Sequence, residues 1–143
     1  MTLSIFPDVN VWLALSYPAH IHQATASTWF ASMDESAVFV FCRQTQLAFF
    51  RLMTTEAVLG PDVIGQTECW AIYGRWINAG KAVLARESAG IEAALRKRTS
   101  LNSPSPKAWA DAYLAAFAET AGLTLVTFDR ALAGQVKGAI LLS

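Results

Sequence analysis

Charge is scarce in this chain. Of 143 residues only 15% are Asp, Glu, Lys or Arg, and 11 basic residues balance 11 acidic ones. That excludes nucleic-acid binding through a broadly basic surface, so contact with RNA or DNA needs a local site. Cysteine is limited to Cys42 and Cys69, without CxxC spacing. A disulfide framework and a cysteine-rich zinc site are therefore excluded, and both residues read as buried free thiols of a reducing compartment. No apolar run reaches the ~18 residues that span a bilayer. The first residues lack a basic stretch and meet Pro7-Asp8 early, unlike a signal peptide. A cytoplasmic protein without membrane contact is expected. What is abundant is apolar side chain: 54% of residues are hydrophobic, with five Trp and eight Phe. Disorder is excluded by that balance, and a single domain over residues 1–143 is expected. So much apolar surface in a small domain also suggests cover by a partner chain.

Strand and helix patterns alternate along the chain. Residues 3–6 read as a strand stopped by Pro7, and 9–16 as a helix. A second helix spans 20–33 with Ile21, Ala24, Thr28 and Ala31 on one face, and 37–41 is a strand buried on both sides. Helix 43–53, a loop over 54–62, a helix from 63 or 66 to 78 and a strand at 82–85 follow. After a helix at 91–98 and a polar loop, the clearest helix has Ser105 as N-cap and Pro106 in its first turn. Its apolar stripe is Ala110, Leu114, Phe117, Ala118 and Ala121, and Gly122 ends it. Strands at 123–127 and near 139–142 close the pattern. The alternation predicts an α/β layer fold with a mostly parallel central sheet.

The acids are unevenly placed. Asp8 and Asp129 each follow a strand directly, where an open parallel sheet forms its ligand crevice. Asp111 lies early in the helix that precedes the strand leading to Asp129. Clustered carboxylates repel and raise one another's pKa, and a divalent cation resolves that. Hard oxygen ligands suit Mg²⁺ or Mn²⁺ rather than zinc, and such an ion supports phosphodiester hydrolysis. Read singly, Asp8 and Asp129 serve equally well as turn formers or helix caps.

The segments Phe6-Pro7-Asp8-Val9-Asn10, Trp109-Ala110-Asp111-Ala112-Tyr113 and Thr127-Phe128-Asp129-Arg130, in this order and spacing, resemble the three acidic motifs of PIN-domain ribonucleases. More narrowly, the chain resembles VapC toxins of bacterial toxin–antitoxin systems over nearly its whole length. The resemblance implies an α/β/α PIN fold and a Mg²⁺-dependent endoribonuclease, with Mn²⁺ able to substitute, leaving 5′-phosphate and 3′-hydroxyl ends. It assigns Asp8, Asp111 and Asp129 to metal and catalysis. Thr127 is implied as a group orienting water or carboxylate, and Asn10 as a hydrogen-bonding neighbour or, alternatively, a helix cap. A VapB-like antitoxin and a homodimer are the implied partners, with RNA as substrate.

One departure bears on this reading. Most members of the family carry a Glu in the helix after the second strand, and helix 43–53 has no acid; Gln46 or Ala48 takes its place. Three carboxylates instead of four put a second metal ion in doubt. They also leave room for an alternative, a catalytically weak or inactive PIN-like module that binds RNA or protein. Arg51, Lys107 and Arg130 are candidate RNA contacts, with salt bridges or solvation as the plainer alternatives. The run Arg96-Lys97-Arg98 reads as a solvated face. His20 and His22 read as surface residues beginning the second helix rather than as acid–base catalysts.

Overall fold

The computed structural model describes residues 3–143. Five strands form one parallel sheet in the order β3-β2-β1-β4-β5. They are β1 (Ser4–Pro7), β2 (Val38–Phe41), β3 (Ala82–Leu84), β4 (Thr124–Thr127) and β5 (Ile140–Leu141). The central strands read as unbroken apolar runs because helices cover both faces, so successive side chains enter two different cores. On one side Ile5, Phe39, Phe41 and Val126 pack with Trp12, Phe49 and Tyr73. This core is covered by α1 (Val9–Ser16), α2 (Gln23–Ser32), α3 (Arg43–Met53), α4 (Glu56–Leu59) and α5 (Gln66–Asn78). On the other side Phe6, Val40 and Leu125 pack with Leu114, Phe117 and Leu132. That core is covered by α6 (Ile91–Arg98), α7 (Ala108–Ala121) and α8 (Arg130–Ala133). The three-layer α/β arrangement expected from the sequence is the one found.

Several boundaries differ for identifiable reasons. Pro7 belongs to β1 and pairs with Val126. The ladder to β4 takes its donor from Asp8, whose N–H bonds the Val126 carbonyl at 2.8 Å, so the missing proline N–H costs no bond there. Helix α2 starts at Gln23, because residues 17–23 turn through bonds from His20 N–H to Tyr17 and from Gln23 N–H to His20. Its face is also other than expected. Ile21 is 88% exposed, and Ala24, Thr28 and Ala31 face solvent too, whereas Ala26, Trp29, Phe30 and Met33 meet the core. The two aromatic rings, both packed on Phe39, outweigh the small residues in setting the helix rotation. The expected loop over 54–62 contains α4 and a 3₁₀ turn at Gly60–Asp62, pinned by buried Leu59. Glu56 is therefore the first residue of α4 instead of a loop residue.

Helix α7 begins at Ala108, two residues after Pro106. Ser105 accepts a backbone bond from Ala108 in the turn before it, and Lys107 stands at the cap position without a side-chain cap. Ala110 is exposed; the buried residues are Ala112, Leu114, Ala115, Ala116, Phe117 and Ala118, because α7 packs on both the sheet and α6. Gly122 ends it with φ +67°, a left-handed conformation that glycine adopts without a Cβ penalty. Cys42 and Cys69 are free and buried, as expected. No helix among the described residues is long and apolar enough to cross a membrane.

Candidate active site

The strand order reverses direction between β1 and β4, since the chain winds outward from β1 to β3 on one side and from β4 to β5 on the other. At such a switch point the connections leave in opposite senses, and a crevice opens beyond the carboxyl ends of the strands. Asp8 follows β1 and Asp129 lies two residues past β4, so the topology alone brings both to this crevice.

Thr127 ties the Asp8 carboxylate to the Asp129 backbone. Asp8 is buried, and its Oδ1 accepts from the Val9 N–H at 2.7 Å while its Oδ2 accepts from the Thr127 hydroxyl at 2.9 Å. The same Thr127 oxygen accepts from the Asp129 N–H at 2.9 Å. Thr127 is fully buried, and its hydroxyl uses both donor and acceptor capacity to join the two segments. Asp129 in turn caps α8, its Oδ1 accepting from the N–H groups of Ala131 at 2.9 Å and Leu132 at 3.2 Å. The capping and crevice readings of Asp8 and Asp129 are thus compatible, since each carboxylate serves a helix start at the rim.

Electrostatics joins Asp111 to the pair. Burial raises the Asp8 pKa most, bonds from Thr127 and Val9 lower it, and the charges of Asp111 and Asp129 raise it further. Asp111 is half-buried in the first turn of α7; burial and the charge of Asp129 raise its pKa, and no hydrogen bond offsets them. Asp8 feels the charge of both other acids, and Asp111 that of Asp129. The donor chemistry, hard carboxylate oxygens under mutual repulsion, fits a divalent cation. The side chains are not preassembled for one: among the described residues no group of three or more His, Cys, Asp or Glu is placed to hold a metal ion.

The remaining candidates divide. Gln46 is buried in the first turns of α3, nearer the sheet edge than half-buried Ala48, and its Oε1 accepts from Arg43 Nη1 at 2.7 Å. Asn10 is exposed in the first turn of α1, and Asp8, not Asn10, caps that helix. Lys107 is exposed at the start of α7, and Arg130 is exposed beside Asp129. Arg51 lies in the last turn of α3, away from the crevice, in a surface depression with Leu47, Phe50 and Trp70. In the basic run, Arg98 pairs with Glu119 at 3.1 Å and donates to the Gln135 carbonyl at 2.9 Å, so it is a structural tie.

Two rim features escape a reading of the sequence. The Tyr113 hydroxyl donates to Glu87, just past β3, at 2.6 Å; burial and that bond hold the phenol well above its ordinary pKa. Cys42 lies at the end of β2, where the pairing register carried to the strand ends sets it beside Asp8. Its thiol accepts from the Thr45 N–H at the start of α3, and burial pushes its pKa up. The only signal for Cys42 is that it follows an apolar strand run, and nothing in the sequence signals the Tyr113–Glu87 tie.

Over 128 residues the chain is 41% identical to ribonuclease VapC41 of Mycobacterium tuberculosis, covering 87% of this chain and 88% of that protein. The chain belongs to the VapC ribonuclease family. A second relative, ribonuclease VapC38 of the same organism, is 30% identical over 85% of this chain and 82% of its own length. Among solved structures, the M. tuberculosis VapC20 toxin, which cleaves the sarcin–ricin loop, superposes with a TM-score of 0.63 at 16% identity, over 91% of this chain and 93% of that one. That likeness shows the VapC fold. No family model matches the chain.

Proposed function

We propose that this VapC chain is a Mg²⁺-dependent endoribonuclease and the toxin of a toxin–antitoxin pair, with Asp8, Asp111 and Asp129 holding the ion and Mn²⁺ able to replace it. The observation that carries this reading is the Asp129–Thr127–Asp8 hydrogen-bond chain at the strand-order reversal, with Asp111 within electrostatic reach. When bound, the cation supplies an acidified water and offsets charge on the phosphoryl oxygen. The protein's own part is orientation. Val9 and Thr127 each engage one Asp8 oxygen, which fixes the plane of the carboxylate before substrate arrives. The cap on α8 fixes Asp129 by one oxygen. Asp111, held by no hydrogen bond that shifts its pKa, is the adjustable member. Lys107 and Arg130, both exposed, are the proposed contacts for the RNA backbone, and Gln46 is the proposed substitute for the missing acid. A VapB-like antitoxin and a second copy of the chain are proposed as protein partners.

RNA cleavage by wild type, Asp8→Asn and Asp111→Asn in Mg²⁺ and in chelator tests this reading. Cleavage that needs metal and is lost in both variants is expected; equal cleavage by all three overturns it. One observation favours a binding module instead: no three ligands are preassembled. That reading requires wild type to bind RNA or antitoxin without cutting at any metal concentration.

A further inference from the structure

Two histidines stand at the mouth of the crevice without a part in the proposed chemistry. His22 occupies the cap position of α2 yet makes no side-chain capping bond, so the helix does not account for its ring. That ring lies flat on Phe128, with centroids 4.4 Å apart and planes at 17°. Phe128 is the residue between Thr127 and Asp129, so its position is fixed by the backbone that builds the site. Phe128 is half-buried in the sheet core, whereas His22 is exposed. The stack therefore has an anchored lower ring and an upper ring open to solvent.

His20 completes the arrangement. Its Nδ1 accepts from the His22 backbone N–H at 3.0 Å, which leaves Nε2 as the protonated, donating edge of the neutral ring. Burial and the neighbouring His22 lower the His20 pKa, which favours the neutral ring. The two ring centroids lie 5.8 Å apart.

We infer that His22, stacked on Phe128 between Thr127 and Asp129, is a substrate-positioning residue that stacks one nucleobase of a single-stranded RNA beside the acidic crevice, with His20 Nε2 donating to the adjoining phosphate. The inference rests on the nuclease reading for its substrate class. Base–aromatic stacking tolerates any sequence because every base has a π-face, and purines present the larger one. A neutral chain without a basic surface needs contacts of this kind to hold a polyanion.

The test measures anisotropy of fluorescein-labelled oligoadenylate and oligouridylate decamers, in an Asp8→Asn background that leaves the RNA intact. His22→Ala should weaken oligoadenylate binding about tenfold, within what one stacked base supplies, and abolish its advantage over oligouridylate. His22→Phe should keep both, and the melting temperatures of both variants should match the parent. His20→Gln should weaken both RNAs alike. Unchanged affinity in His22→Ala, equal loss in His22→Ala and His22→Phe, or no RNA binding by the parent overturns the inference. So does loss of antitoxin co-purification with RNA binding intact, which assigns the stack to a protein partner. The nuclease reading fails separately, when wild type and Asp8→Asn cleave alike; an active wild type with His22→Ala binding unchanged sinks only the stack.

Discussion

Thr127 and Asp8 lie 119 residues apart in the chain and share a 2.9 Å hydrogen bond in the interior. Thr127 is fully buried and accepts the Asp129 N–H through the same oxygen. Thr127→Ala should cost about 1–3 kcal/mol, because a buried carboxylate and a backbone N–H each lose their partner. Urea denaturation reads that loss. Cleavage should fall as well, and Thr127→Ser, which keeps the hydroxyl, should restore most of both.

Asp111→Asn should raise the stability of metal-free protein at neutral pH. Asp8 and Asp111 both have folded-state pKa values above the ordinary 3.8, so ionising them opposes folding. Their favourable contribution is complete below the unfolded pKa and disappears as pH rises through the folded one. The advantage of the variant should therefore shrink as pH falls towards 4. Melting curves of the two proteins over that range in chelator provide the check. A lower melting temperature for the variant at neutral pH would show that Asp111 serves the helix instead.

Added Mg²⁺ should reverse the order. A ligand that binds only the folded state stabilises it by about 2.7 kcal/mol at a hundredfold excess over its dissociation constant. Wild type should gain from Mg²⁺ or Mn²⁺, and Asp8→Asn and Asp111→Asn should gain much less. Calorimetric scans with and without metal measure this independently of any RNA.

Trp12 is the keystone beneath α1. It is fully buried, stacks on Phe41 at 3.9 Å and meets Trp76 edge-on at 5.2 Å. Trp12→Ala should cost about 3–5 kcal/mol, the range for emptying a large aromatic site. Since Asp8 caps α1, RNA cleavage should fall in step with stability as urea is added.

The fold was largely legible because its signals are local. Unbroken apolar runs such as 37–41 mark strands covered on both faces, and their alternation with helices predicts parallel pairing. The acids were legible for a related reason: a parallel sheet delivers the residue after each strand to one edge, so Asp8 and Asp129 could be placed before their contacts were known. What resisted reading depends on packing between segments. The rotation of α2 follows from where Trp29 and Phe30 find Phe39, and Ile21, the more hydrophobic-looking choice, stays in solvent. The tie between Tyr113 and Glu87 and the stacking of His22 on Phe128 each join residues from separate elements, and periodicity carries no trace of them.

Asp129 anchors the short helix α8 through two backbone N–H groups. Leu132 of that helix is sealed into the second core, and β5 is the next element of the chain. Whatever draws this carboxylate away from its cap also loosens the plug behind it. An alanine at Asp129 therefore confounds lost charge with lost anchorage of the segment that follows. Asparagine, which holds a helix start as well as aspartate does, separates them.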